Sequence, residues 1–164
     1  MVSHARTAVA VLALAVAAAL GGCEGRGITP VTQGDIDDRG RLHAAQRAVQ
    51  LGEYAVAEAV LTDFVYRSEK GELKLRYWGV SSKSRKLAID VVSQLLWETG
   101  RDETSIQFAD DYLSGDERKT VHCRVAERQR RFDEAAACWN EMGHLDRSER
   151  VIRTKAALKI LRGD

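Results

Sequence analysis

An all-α domain is the fold class this sequence predicts, and three observations predict it. Ala, Leu, Glu and Arg are plentiful, and these are good helix formers. The sole proline, Pro30, precedes every periodic segment. Apolar residues then recur at spacings of three and four, whereas alternating runs of Val, Ile, Thr and aromatics, the mark of strands, are nearly absent. About seven helices arranged as antiparallel hairpins are expected over residues 35–164.

The chain opens differently. Arg6 precedes an Ala/Val/Leu run from Ala8 to Leu20, and Gly21, Gly22 and Cys23 follow. A positive start, a short apolar stretch and small residues at a cut describe a secretory signal. The run has about a dozen residues, and a membrane span needs roughly 20. Leu20-Gly21-Gly22-Cys23 resembles the lipobox of bacterial lipoproteins, with Leu three before and Gly one before the modified cysteine. The resemblance implies that residues 1–22 are a signal peptide and that Cys23 carries the acyl chains. Glu24 in place of Asp implies the outer membrane, with the inner membrane as the alternative. An ordinary cleaved signal and an uncleaved anchor are the other readings of this segment. Residues 23–34 hold three glycines and Pro30 without apolar period, as a tether would.

Each later element has its own signal. Asp35 or Asp37 is placed to cap a first helix reaching about Leu51, with Leu42, Ala45, Ala48 and Val49 on one face and Leu51 as a further candidate; Gly52 ends it. A second helix is expected from about Tyr54 to Ser68, with Ala57, Val60, Leu61, Phe64 and Val65 as its stripe. Residues 69–82, bracketed by Gly71 and Gly79, read as a loop with a short strand-like or helical turn. A third helix, about Ser82 to Thr99, turns Leu87, Val91, Leu95 and Trp97 inward. Asp102 caps a fourth, to about Leu113, burying Ile106, Ala109 and Leu113. Ser114-Gly115-Asp116 is a turn, followed by helices over about Glu117 to Gln129 and Asp133 to Met142. A seventh, capped by Asp146, reaches about Leu161 and carries Val151, Ile152, Ala156, Leu158 and Leu161.

The turns resemble one another: Gly52-Glu53-Tyr54, Gly100-Arg101-Asp102, Arg131-Phe132-Asp133 and Gly143-His144-Leu145 each sit between two amphipathic helices. Stacked hairpins bury such faces against the next pair. Gly52-Glu53-Tyr54 with Ala57, Leu61 and Phe64, and Phe132-Asp133-Glu134-Ala135 with Trp139 and Met142, resemble tetratricopeptide or Sel1-like repeats. The resemblance covers about half of the mature chain. It departs from the pattern in lacking the large aromatic and the Leu-Gly pair of the first helix. Ala57 and Ala135 are 78 residues apart (135 − 57), which is not a multiple of the roughly 34-residue repeat. A degenerate α-solenoid is expected, with a generic helical bundle as the alternative.

Of three cysteines, acylation of Cys23 would leave Cys123 and Cys138, an even pair in an oxidising compartment. An antiparallel hairpin turning near Arg131 places residue 123 opposite a residue close to 138. A disulfide is expected there, with two buried free thiols as the alternative; it resembles the cross-helix bridges of cysteine-bearing Sel1-like proteins. His122, adjacent on the helix, points elsewhere, and His144 is unplaced, so no metal site is expected.

The chain carries 25 basic and 24 acidic residues, and the leader takes only Arg6 among them, leaving 24 of each. A nucleic-acid binder would show a basic excess. No His-Glu-x-x-His, Gly-x-Ser-x-Gly or phosphate-binding glycine loop occurs, so no enzyme and no cofactor beyond the lipid are expected. Asp110 and Asp111, about 100° apart on a helix, read as a solvated face, and His43 as surface decoration. Between Arg67 and Lys86, basic residues surround Tyr66, Tyr77 and Trp78. Lys74, Arg76, Tyr77 and Trp78 are the candidate partner contacts; the alternative is solvated charge with Trp78 folded onto the core. Arg124, Arg128, Arg130 and Arg131, interleaved with Glu127, read as a second solvated face.

The expectation is a lipid-anchored periplasmic scaffold. By resemblance, small helical-repeat lipoproteins of this kind serve envelope machines for secretion, pilus or outer-membrane assembly. The alternative is an envelope regulator that binds peptidoglycan or a cell-wall enzyme through residues 67–86.

Overall fold

The structure, a computed structural model, describes residues 33–76 and 80–163. The segment read as a signal, Cys23, most of the expected tether, Tyr77 and Trp78 lie outside the described residues.

The described chain is all-α apart from one small hairpin. Its elements are α1 (Gln33–Gln50), α2 (Tyr54–Leu61), β1 (Val65–Arg67), β2 (Leu73–Leu75), α3 (Ser82–Glu98), α4 (Asp102–Tyr112), α5 (Gly115–Arg128), α6 (Phe132–Glu141) and α7 (Leu145–Arg162). Each helix packs against the next in the chain, and α1 also packs against α3. No described helix is long and apolar enough to cross a membrane.

Four of the turns between helices share one geometry. Gly52, Gly100, Arg130 and Gly143 have φ of +77°, +69°, +61° and +78°. The next residue in each case donates its N–H back five positions: Glu53 to Ala48, Arg101 to Leu96, Arg131 to Ala126 and His144 to Trp139, at 2.8–3.0 Å. This left-handed cap satisfies carbonyls that a helix end would otherwise leave open. The accepting residues are all buried, so each turn is fastened to the core.

The helix starts after these turns differ from expectation. Asp102 and Asp146 do not cap. Arg101 and His144 hold the cap positions without a side-chain bond, and the aspartates stand in the first turn. There their charge meets the positive end of the helix dipole. Ser81 is a true cap, accepting from the Ser84 N–H at 3.2 Å.

The second helix is also shorter than its apolar stripe suggests. It stops at Leu61, and Thr62 turns its hydroxyl onto the Glu58 carbonyl at 3.0 Å. Phe64, Val65 and Tyr66 favour extended backbone, and β1 pairs antiparallel with β2, Val65 opposite Leu75 and Arg67 opposite Leu73.

Two apolar clusters hold the fold. One joins α1, α2, α3, Phe64, Leu75 and Phe108; the other joins Cys123, Ala126, Ala135, Ala136, Trp139 and Val151. Leu42, Ala45, Ala48, Val49, Ala57, Leu61, Val91 and Leu95 are buried as expected, whereas Leu51, in the turn after α1, is exposed. Ile106, Leu113 and Leu87 are half-buried instead, and Ser105 and Phe108 take the inner face of α4. On α7, Val151 is buried, but Ile152 and Leu161 are 55% and 81% exposed and Ala156 is exposed. The reason is that α6 covers one side of α7, where Ser148 donates to the Ala136 carbonyl at 2.9 Å.

Candidate functional site: an arginine-tryptophan cleft

Cys123 on α5 and Cys138 on α6 have Cα atoms 5.5 Å apart and their sulfurs at bonding distance. This is the spacing a disulfide bridges. Cys123 is fully buried and Cys138 half-buried. The pair fastens α5 to α6, one residue along from Trp139.

Trp139 is 1% exposed. Its indole N–H donates to Glu127 on α5 at 3.4 Å, and the Arg147 guanidinium of α7 lies 4.6 Å from its ring centre. Trp97, near the end of α3, is half-buried. Two guanidiniums of α5 lie over its ring, Arg128 at 3.4 Å and Arg124 at 5.6 Å. Such cation–ring contacts contribute about 0.5–2 kcal/mol each, more where water is excluded. Arg128 is also paired with Asp102 at 3.1 Å.

These residues line a cleft. One hollow of about 380 Å³ is walled by Trp97, Trp139, Glu127 and Arg124, Arg128, Arg147 and Arg150. A second of the same volume shares Trp97 and Arg124 and adds Ser93, Gln94, Glu98, Ser105 and Val121. Four arginines thus face one glutamate in the first hollow. Arg124 and Arg147 have no ion pair among the described residues, in contrast to Arg128, Arg131 and Arg153, which pair with Asp102, Glu134 and Glu149. The Ser93 and Ser105 hydroxyls, buried in the wall of the second hollow, meet no hydrogen-bond partner among the described residues.

Sequence reasoning missed this site. Arg124 and Arg128 read as a solvated helix face because Glu127 lies between them. The signal that could have found it was the i,i+4 spacing of Arg124 and Arg128, which puts both on one side of α5. What they face, Trp97, is set by tertiary packing.

The contacts expected in residues 67–86 are placed otherwise. Lys74 reaches Asp111 of α4 at 2.8 Å and Glu72 at 3.2 Å. The Asp111 hydrogen bond, helped by Glu72, holds its ammonium well above the ordinary lysine range. Arg76 donates its Nε–H to the Val65 carbonyl at 3.2 Å and stacks on Tyr66. Gln107 of α4 accepts from the Leu73 N–H at 3.0 Å, and the Tyr112 hydroxyl accepts from the Leu75 N–H at 2.9 Å. Lys74 and Arg76 therefore hold the hairpin to itself and to α4. Asp110 and Asp111 are correspondingly more than a solvated face: Asp110 meets His122 of α5 at 2.8 Å, while Asp111 takes Lys74. His43 lies on the exposed side of α1 beside Gln46. No group of acidic, histidine or cysteine side chains suited to a metal occurs among the described residues.

No protein-family model, no curated protein and no solved structure matches this chain.

Proposed function

We propose that this chain is a lipid-anchored periplasmic scaffold that binds a protein partner through the arginine-tryptophan cleft. The observation that carries the reading is Trp97 with Arg124 and Arg128 over its ring, in the wall of a hollow that Trp139 also lines. Aromatic and arginine side chains held in place at a concave surface are the usual anchors of protein recognition. The successive packing of α1 to α7 supports a degenerate tetratricopeptide-like solenoid. Leu20-Gly21-Gly22-Cys23 supports acylation of Cys23 and a place on the periplasmic side of the outer membrane. The role is then to hold a component of an envelope machine, for secretion, pilus or outer-membrane assembly, at the membrane without turnover.

The alternative contact at Lys74 and Arg76 gains little support, since both are engaged within the hairpin and by α4. Two experiments test the reading. Cys23→Ala should move the protein from the membrane to the soluble fraction; retention at the membrane would overturn the anchor. A photo-crosslinking residue replacing Gln94, in intact envelopes, should give a discrete protein adduct that Trp97→Ala removes. The same adduct from position 153, on exposed α7, or persistence with Trp97→Ala, would overturn the cleft as the docking site.

A further inference from the structure

We infer that the cleft takes an acidic peptide segment interspersed with apolar residues, its carboxylates seated on Arg124 and Arg147. The inference rests on the docking reading above and names the chemistry of the docked segment.

Three observations carry it. First, charge: Arg124 and Arg147 are the arginines of the cleft without a carboxylate partner among the described residues, whereas Arg128 is neutralised by Asp102. Second, order: each of the two lies over an indole, Arg124 over Trp97 and Arg147 over Trp139. Attraction to the ring holds each guanidinium near its indole, and a guanidinium can meet a carboxylate in two parallel hydrogen bonds. Third, shape: the two hollows share Trp97 and Arg124 and together extend from the arginines to Ser93, Ser105 and Val121. A single small anion would meet one guanidinium and leave the Trp97 surface uncovered. A chain with acidic side chains among apolar ones covers both.

Glu127 and Glu98 are the carboxylates of the lining, against four arginines. Glu127 accepts from the Trp139 indole N–H. The arginines stand on α5 and α7, on either side of α6, so an occupant must bridge two helices.

Anisotropy of a fluorescein-labelled peptide of Leu-Asp-Glu repeats, titrated with the full chain in detergent, tests the inference. The peptide should bind, and its Leu-Asn-Gln twin should bind at least about tenfold more weakly, since charge pairing at a protected site is worth this much. Arg124→Ala with Arg147→Gln should weaken binding by a similar factor while the helical circular-dichroism signal at the assay temperature is unchanged. Arg124→Glu alone, at an exposed position, repeats the test if the double variant fails to fold. Equal binding of the twin, undiminished binding by both variants, or full competition by millimolar inorganic phosphate would overturn the inference. So would phosphatidylglycerol vesicles that outcompete the peptide, which would make the occupant a lipid surface. Self-association that the same variants abolish would make the occupant a second copy. Cross-linking from position 94 that persists when the acidic peptide fails to bind would leave the docking reading standing and this inference overturned; peptide binding without cross-linking would reverse that.

Discussion

Arg130 occupies the left-handed region at φ +61°, the position that glycine holds in the three sister turns. A side chain there crowds its own carbonyl, at a cost of roughly 1 kcal/mol. Arg130→Gly should therefore stabilise the domain by about 1 kcal/mol, less what the freer unfolded chain takes back. The melting temperature should rise by a few degrees, to roughly 3 °C for a domain of this size. A fall would mean that the Arg130 side chain contributes more than its backbone costs. Asp90 offers a second test at this scale. Partial burial raises its carboxyl above the ordinary range; Lys86 opposes the shift and Glu117 adds to it. A raised carboxyl holds its proton in the folded state after the unfolded chain has released it. Stability then falls as pH rises through that window and stays lower above it. Asp90→Asn should raise the melting temperature at neutral pH, and the gain should vanish at about pH 3, below the ordinary carboxylate value. An equal gain at both pH values would show that charge is not the cause.

At the scale of elements, the α5–α6 hairpin is fixed twice, by its turn and by Cys123 and Cys138. Cross-linking a loop of about 15 residues contributes roughly 3 kcal/mol in the chain-entropy model. Reduction, or Cys138→Ser, should lower the melting temperature by roughly 10 °C. Amide exchange in α5 and α6 should quicken most, because the link acts there. No change in the melt on adding reductant would mean that the pair is not bonded in the purified protein. The elements also show what a periodic pattern can and cannot say. Leu42, Ala45, Ala48 and Val49 announced α1 because a single face is buried there. The stripe Ala57, Leu61, Phe64 and Val65 ran past the true end of α2. Its last members serve a strand as well as a helix, and the partner strand, Leu73–Leu75, lies outside any local window. Lys74 read as a free charge for the same reason, since Asp111 is 37 positions away.

Across the whole domain, the cleft is walled by side chains of α3, α5, α6 and α7. Helix number, turn positions and the cysteine pair were legible in the sequence, for these depend on spacing along the chain. The cleft was not. Trp97 and Arg124 are far apart in sequence, and nothing local distinguishes an arginine over an indole from one in water. The α7 stripe failed for a related reason: amphipathic spacing identifies which residues share a face, but cover comes only from a neighbour, and α6 covers one side alone.

The sequence by itself determined an all-α chain with Gly-centred turns, a cysteine pair close enough to meet across a hairpin, and a neutral charge balance. Those properties follow from local backbone preference and from short loops that leave few ways to fold. Only the tertiary structure decided that Lys74 and Arg76 are used internally, and that Arg124 and Arg147 rest on indoles without a carboxylate partner among the described residues. The physical reason is distance along the chain. A local pattern sets which face a helix buries, whereas the charges and rings that meet on the other side are chosen by packing between helices.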